Sequence, residues 1–97
     1  MHNIDVRTKQ VFRGEVLKEL DKYQGDFVKI NVIKKSFSPT EGLPMSKFKS
    51  VLNYLNDKGY IEWNKKDLTN TDDDLLRITA RGQDIVDGLE SDLGIII

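Results

Sequence analysis

The segment from 75 to 89, "LLRITARGQDIVDGL", constrains the fold most, because its hydrophobic period changes at one residue. Leu-Leu-Arg-Ile alternates in polarity, which predicts a β-strand. From Thr79 onward the apolar residues take helical spacing, and threonine is a residue type that caps helix N-termini. Gly82 lies one turn inside the predicted helix, where glycine allows a neighbouring backbone to come close. A strand therefore leads directly into a C-terminal helix at 79–90, with Ile85, Val86 and Leu89 on its apolar stripe.

Three further helices are predicted upstream. The first runs from about 6 to 23, where the apolar residues recur every three or four positions and Val11 lies away from their stripe. A short second helix at about 31–37 follows Asn31, a good N-cap. The third spans 44–58, from a proline suited to the first turn to Lys58-Gly59, a typical helix end. Its inner arc consists of Met45, Phe48, Val51, Leu52 and Leu55.

A hairpin is predicted at 60–78, between the third and the last helix. "YIEW" and "LLRI" are its strands, and the polar "NKKDLTNTDDD" is its long tip, interpreted as a solvated loop. The predicted fold class is α+β and mostly α. Three helices, a hairpin and a C-terminal helix form a winged helix-turn-helix, in which the hairpin is the wing. The 97 residues suffice for one domain, 1–97.

A family resemblance supports this fold. "LNYLNDKGYIEW" followed by "LLRITARGQDIVDGL" resembles many bacterial winged-helix proteins, in which a Lys-Gly or Gln-Gly turn precedes the wing and Leu/Ile-Thr-x-x-Gly opens the last helix. The tail "GQDIVDGLESDLGI" is similar to small winged-helix proteins of Mu-like phages and prophages. The resemblance covers about residues 43–95. It implies a DNA-binding transcriptional regulator of phage or mobile-element origin, although the wing is acidic where DNA-binding relatives often have a basic one.

Composition argues against catalysis. The chain has no cysteine, and its one histidine, His2, lies at the terminus, so a histidine-based triad and a zinc cluster are not expected. No phosphate-binding, dinucleotide-binding or nucleophile-elbow motif is present. The acidic run at 72–74 lacks the glycine and the glutamate of a calcium loop. We expect no enzyme, cofactor or metal. Without an apolar run long enough for a bilayer or a signal-peptide pattern, a cytoplasmic protein is expected.

The small net charge of −1 conceals two halves of opposite sign. Residues 1–58 carry 11 basic and 7 acidic residues, a balance of +4, and residues 59–97 carry 4 basic and 9 acidic residues, a balance of −5. A basic side could attract nucleic acid if the halves segregate in space, whereas an ordinary solvated surface explains the same counts.

Double-stranded DNA is the predicted partner, contacted by the outer face of the third helix. In a helix-turn-helix, residues near the N-terminus of this helix reach base edges. Asn53 suits bidentate pairing with adenine, and Lys49 suits guanine or a phosphate. Asp57 on the same face would repel phosphate, and a solvated helix would show the same polar face. The predicted DNA-binding residues are Ser46, Lys47, Lys49, Ser50, Asn53, Tyr54, Lys65 and Lys66.

Two alternatives stay open at this point. The first is a winged-helix module of a phage or prophage accessory or assembly protein, which contacts other proteins through its acidic C-terminal half or its isoleucine tail and binds no DNA. The second concerns self-association. A homodimer could form through the N-terminal helix, which carries Val11 away from its core stripe, or through the C-terminal "LGIII". Packing of these isoleucines onto their own domain explains the tail equally well.

Overall fold

A computed structural model gives the fold and describes residues 3–37, 45–65 and 71–97, with only the backbone at 3–5, 45 and 46. These described residues form four helices and one three-stranded sheet. A 3-10 turn, Thr71–Asp73, precedes the last strand. The elements are α1 (Asn3–Asp21), β1 (Val28–Lys29), α2 (Ile30–Phe37), α3 (Met45–Asp57), β2 (Ile61–Asn64), β3 (Leu75–Ile78) and α4 (Ala80–Val86).

The sheet is antiparallel, with the strand order β1-β3-β2. β2 and β3 form the predicted hairpin, in a register that pairs Ile61 with Ile78. The two-residue β1 adds a third strand to the hairpin, and it pairs Val28 with Leu76. Because side chains alternate across a strand, these four residues all face the helices and are buried.

The core lies between the inner face of this sheet and the apolar stripes of the helices. The stripe of α1 buries Val16, Leu17 and Leu20, and Phe12 and Tyr23 pack against its border. The inner arc of α3 is buried as predicted at its four described side chains. Helical periodicity therefore identified the correct faces of the two longest helices.

α3 ends in a Schellman motif at Gly59. The backbone N–H of Tyr60 donates to the carbonyl of Leu55 at 2.9 Å, and that of Gly59 donates to Asn56 at 3.0 Å. Gly59 has φ +79°, a conformation in which a side chain would be strained. The predicted stop at Lys58-Gly59 is confirmed. The motif turns the chain into β2 with both Leu55 and Tyr60 in the core.

The step from β3 to α4 is built around Thr79 and Tyr60. The Thr79 hydroxyl accepts the backbone N–H of Gly82 at 3.1 Å, which confirms the predicted N-cap. The same hydroxyl donates to the Gly59 carbonyl at 2.7 Å, and the Thr79 backbone N–H donates to the Tyr60 carbonyl at 3.0 Å. Gly82 packs directly on that carbonyl, so its missing side chain lets α4 approach the start of β2.

The extent predicted for the last helix, 79–90, was wrong at its C-terminal end. α4 stops at Val86, because Gly88 has φ +79° and closes a second Schellman motif. Leu89 donates its backbone N–H to Asp84 at 2.9 Å, and Gly88 donates to Ile85 at 3.2 Å. Leu89, predicted on the apolar stripe, is instead 77% exposed.

The return of the hairpin is not the solvated loop that its aspartates predicted. Asp74 is buried, and one of its carboxylate oxygens accepts the indole N–H of Trp63 at 3.0 Å. Its carbonyl accepts the backbone N–H of Ile30 at 2.9 Å, at the start of α2. The 3-10 turn packs on α2 as a result. The whole is an α+β fold, mostly helical and compatible with a winged-helix-like layout.

Gly82→Ala should destabilise the protein although alanine favours helices. A methyl group at this position would collide with the Tyr60 carbonyl and come within 2.8 Å of Ile78 Cγ1. Because the carbonyl belongs to the backbone, relief requires α4 to move, and we expect a loss of about 1–3 kcal/mol in urea unfolding. Gln83→Ala, on the same helix, is the matched control and should stay within about 0.5 kcal/mol. Equal stability of the two variants would contradict a tight approach here.

Candidate nucleic-acid interface

The outer face of α3 is the surface on which most predicted DNA contacts meet. Lys49, Ser50 and Asn53 are exposed on the side opposite Phe48, and Lys47 is exposed at its edge. Ser46 shares the same helical face, although its side chain lies outside the described part of the structure. Within the described residues, no ion pair or hydrogen bond engages the side chains of Lys47, Lys49, Ser50 and Asn53.

Asp57 lies at the far end of this face. With a rise of about 1.5 Å per residue, its Cα is about 12 Å along the helix axis from Lys49. The N-terminal half of the outer face therefore has a positive charge, and the acid belongs to the C-terminal end. Among the described residues of α3, the lysines, a serine and an amide lie closer to the start of the helix than the carboxylate of Asp57.

The end of α2 joins the start of α3 through aromatic contacts. The rings of Phe37 and Phe48 are 6.5 Å apart between centroids, and Phe37 also packs on Phe12 at 5.5 Å. Lys35 is exposed next to this junction on α2. Lys34 is 3.7 Å from Asp72 of the 3-10 turn, so the hairpin return partly neutralises it. The basic charge that α2 offers to an anion is thus smaller than its sequence suggests.

The two lysines predicted at the wing are not brought to the α3 face by any described contact. Lys65 lies with its ammonium nitrogen 4.6 Å from the centre of the Trp63 ring, a cation–π geometry. Lys66 lies outside the described residues. Trp63 is hydrogen-bonded to the buried Asp74. Lys65 therefore lies over the ring of a tryptophan that is itself fixed on the sheet.

Tyr54 differs from the other predicted contacts because its polar group and its ring are engaged within the protein. Its hydroxyl donates to Asp92 at 2.8 Å, and the guanidinium carbon of Arg13 is 3.6 Å from its ring centre. Arg13 in turn donates to the Gly94 carbonyl at 3.0 Å. Tyr54 thus connects α3 to α1 and to the C-terminal segment, and the exposed outer face of α3 is formed without it.

Asp92 is the centre of this network, and no local sequence pattern points to it. Its carboxylate accepts the Tyr60 hydroxyl at 2.6 Å, the Tyr54 hydroxyl at 2.8 Å and the backbone N–H of Gly94 at 2.7 Å. The Lys58 ammonium is 3.7 Å away. The side chain of Asp92 is only 8% exposed. One carboxylate therefore ties the segment after α4 to the last turn of α3 and to the residue before β2.

The C-terminal segment packs back onto its own domain along α1. Ile95 is in the core, and the Ile96 backbone N–H donates to the Gln10 carbonyl at 3.0 Å. The Gln10 side chain donates to the Leu93 carbonyl at 2.8 Å. Gly14 faces the Ile96 carbonyl so closely that a side chain would not fit between them. The tail is held by backbone contacts as well as by its isoleucines.

The network shifts the ionisation of its members. Burial by itself raises the pKa of Asp92, but the hydrogen bonds from Tyr60, Gly94 and Tyr54 and the charge of Lys58 outweigh it and lower the pKa to about 2. Burial and the hydrogen bond to Asp92 raise the pKa of Tyr60 to about 12. The pKa of Tyr54 is raised for the same two reasons. At neutral pH the carboxylate is charged and both phenols are protonated, as the hydrogen bonds require.

Comparison with known proteins supplies no assignment: no family model, no curated protein and no solved structure matches this chain. Among residues 3–37, 45–65 and 71–97, no helix has the length and apolarity needed to cross a membrane. The same residues contain no cluster of three or more acidic or histidine side chains placed to hold a metal ion. The geometry of α3 and its surroundings is therefore the basis for a functional assignment.

Asp92→Asn should remove a pH-dependent part of the stability. Because the folded-state pKa of Asp92 lies below the ordinary value, its contribution is fully present above about pH 4 and disappears as the pH falls through about 2. At neutral pH we expect the variant to lose on the order of 2 kcal/mol in urea unfolding. Between pH 4 and pH 2 the two proteins should converge.

Asp87→Asn, at the exposed cap of α4, is the matched control for this experiment. It changes the same chemical group five positions earlier, so it reports any general effect of lost negative charge. A constant gap between wild type and Asp92→Asn across the acid range would contradict the charged network. A difference in stability from wild type that closes in the acid range for Asp92→Asn, and not for Asp87→Asn, would support the charged network.

Proposed function

We propose that this protein is a winged-helix protein that binds double-stranded DNA through the N-terminal half of α3, in the role of a small transcriptional regulator. The observation that carries the proposal is the outer face of α3, where exposed lysine, serine and asparagine side chains have no partner within the described residues. The element order and the β2–β3 hairpin support the winged-helix layout.

The chemistry of the face fits a duplex better than a protein surface. Lys47 and Lys49 can neutralise phosphates, which supplies affinity without sequence preference. Asn53 has the amide that pairs with both the N6 and N7 positions of adenine in the major groove. An α-helix fits this groove, and the described side chains of the face include no exposed large apolar residue of the kind that anchors protein interfaces.

α3 is also fixed in position by packing and hydrogen bonds, as a helix that recognises DNA bases must be. The described side chains of its inner arc are in the core, and its C-terminus is closed by the Gly59 motif. Tyr54 and Lys58 contact the Asp92 carboxylate. A side chain that reads base edges must be placed within a fraction of an ångström of its target. The rigid mounting of α3 favours direct recognition over a loose electrostatic contact.

Lys49→Ala should weaken binding to a random-sequence duplex about tenfold at low salt, because one phosphate contact is lost. The slope of affinity against salt, on logarithmic axes, should fall by about 1. Lys9→Ala is the matched control, since Lys9 is an exposed lysine on α1 without a described partner. Fluorescence anisotropy over a salt series measures both quantities. The same loss in both variants would indicate a general charge effect and would contradict binding through α3.

Asn53→Ala should act on specificity more than on affinity. On a sequence selected from a random library, we expect the variant to lose about 1–3 kcal/mol of discrimination at one adenine and to keep its binding to random duplexes. Ser50→Ala, on the same face, is the control. Retention of full discrimination by Asn53→Ala would exclude this amide from base recognition.

The alternative of a protein-interaction module is favoured by one observation, the Lys34–Asp72 pair that reduces the positive charge beside α3. It predicts that wild-type protein binds no duplex even at low salt. The anisotropy titration of the wild type therefore decides between the two functions before any variant is made.

A further inference from the structure

α1 has an outer stripe that the domain leaves uncovered. Counting 100° per residue, Arg7, Val11 and Glu15 fall on the side of α1 opposite the buried Val16 and Leu20. All three are exposed, and Val11 retains 37% of its surface despite being apolar. Arg7, Val11 and Glu15 together form the α1 outer stripe.

The charges of this stripe are complementary to those of a second copy of the same stripe. Arg7 and Glu15 lie four residues on either side of Val11. If two copies of α1 pack antiparallel about a two-fold axis at Val11, Arg7 of each copy lies opposite Glu15 of the other. The symmetric arrangement thus places Val11 against Val11 and forms two ion pairs. A parallel arrangement would place like charges together.

The C-terminal tail extends the apolar surface beside this stripe. Leu93 is 98% exposed, and its carbonyl is held by Gln10 of α1. Ile97 is exposed, and its Cα lies 3.4 Å from the position that a Cβ on Gly14 would take. Leu93 and Ile97 thus add exposed apolar side chains at the edge of the charged stripe.

We propose that a second copy of this chain binds the α1 outer stripe, in an antiparallel α1–α1 homodimer with Val11 at the two-fold axis and Leu93 and Ile97 at its border. A two-fold interface uses the same patch on both subunits, so the patch must complement itself. The order Arg7, Val11, Glu15 meets that requirement. The dimer does not depend on nucleic acid, and its test contains none.

Arg7→Glu is the first variant. It turns both ion pairs into repulsive contacts, so we expect the dissociation constant of the dimer, measured by sedimentation equilibrium, to rise about tenfold. Lys9→Glu is the matched control. It makes the same change in charge on the same helix, about 160° away from Val11, and should leave the dissociation constant unchanged.

The double variant Arg7→Glu, Glu15→Arg restores both pairs with reversed polarity. We expect it to recover dimerisation relative to Arg7→Glu, which no general charge effect would do. Glu15→Arg alone has a second consequence, because Glu15 also pairs with Lys18 at 3.1 Å within the helix, so the informative comparison is between the double variant and Arg7→Glu.

Leu93→Ser tests the border of the interface. Since this side chain touches almost nothing in the monomer, the fold should be unaffected, and we expect weaker dimerisation with an unchanged unfolding midpoint. A wild-type protein that remains monomeric at the concentration of an NMR sample would overturn the proposal. Equal effects of Arg7→Glu and Lys9→Glu, or a double variant no better than Arg7→Glu, would overturn it as well.

Discussion

The backbone of Tyr60 is the point on which the arrangement of the C-terminal half depends. Its N–H closes the end of α3, and its carbonyl accepts the N–H of Thr79 and lies against Gly82. Through these contacts the backbone of a single residue links the third helix, the hairpin and the last helix. The Tyr60 hydroxyl donates a hydrogen bond to Asp92, which links the C-terminal tail to the same residue. A shift of this residue would change the position of α3 relative to everything packed beneath it.

The Asp92 carboxylate completes the same construction from the other side. A buried charge is costly unless it is paired and fully hydrogen-bonded, and here three donors and an ammonium group satisfy it. The arrangement fixes the tail in one position, because a displaced tail would leave two tyrosine hydroxyls without their acceptor. The tail is therefore a structural part of the domain, and α3 depends on it through Tyr54.

Local sequence signals predicted the elements well where one signal dominated. The apolar periods of α1 and α3, the Thr79 cap and the stop at Gly59 are all local, and all are found in the structure. At the end of α4 two local signals conflicted. Gly88 follows an aspartate as a helix stop, whereas Leu89 continues the helical spacing. The stop prevailed, since Leu89 has no core to enter after the chain has turned.

The role of Asp92 could not be predicted, because its two tyrosine partners lie 38 and 32 residues earlier in the chain. Nothing in "LESDLGI" distinguishes this aspartate from a solvated one. The prediction for Tyr54 met the same difficulty. A helical wheel shows that Tyr54 lies on a flank of α3, but which flank is covered depends on the path of the tail. Burial of Asp74 is a third example, since its indole partner is on the neighbouring strand.

The two proposed surfaces are compatible with each other because α1 and α3 face one another across the core. The stripe of α1 that carries Val11 and the face of α3 that carries Asn53 each point away from that contact. A dimer through the α1 stripe would therefore leave both α3 faces open to solvent. Because each α3 face points away from the α1 contact, the two faces would lie on opposite sides of such a dimer. Two separated faces cannot engage one short duplex together, so in this arrangement dimerisation through α1 and DNA binding through α3 are independent properties of the domain.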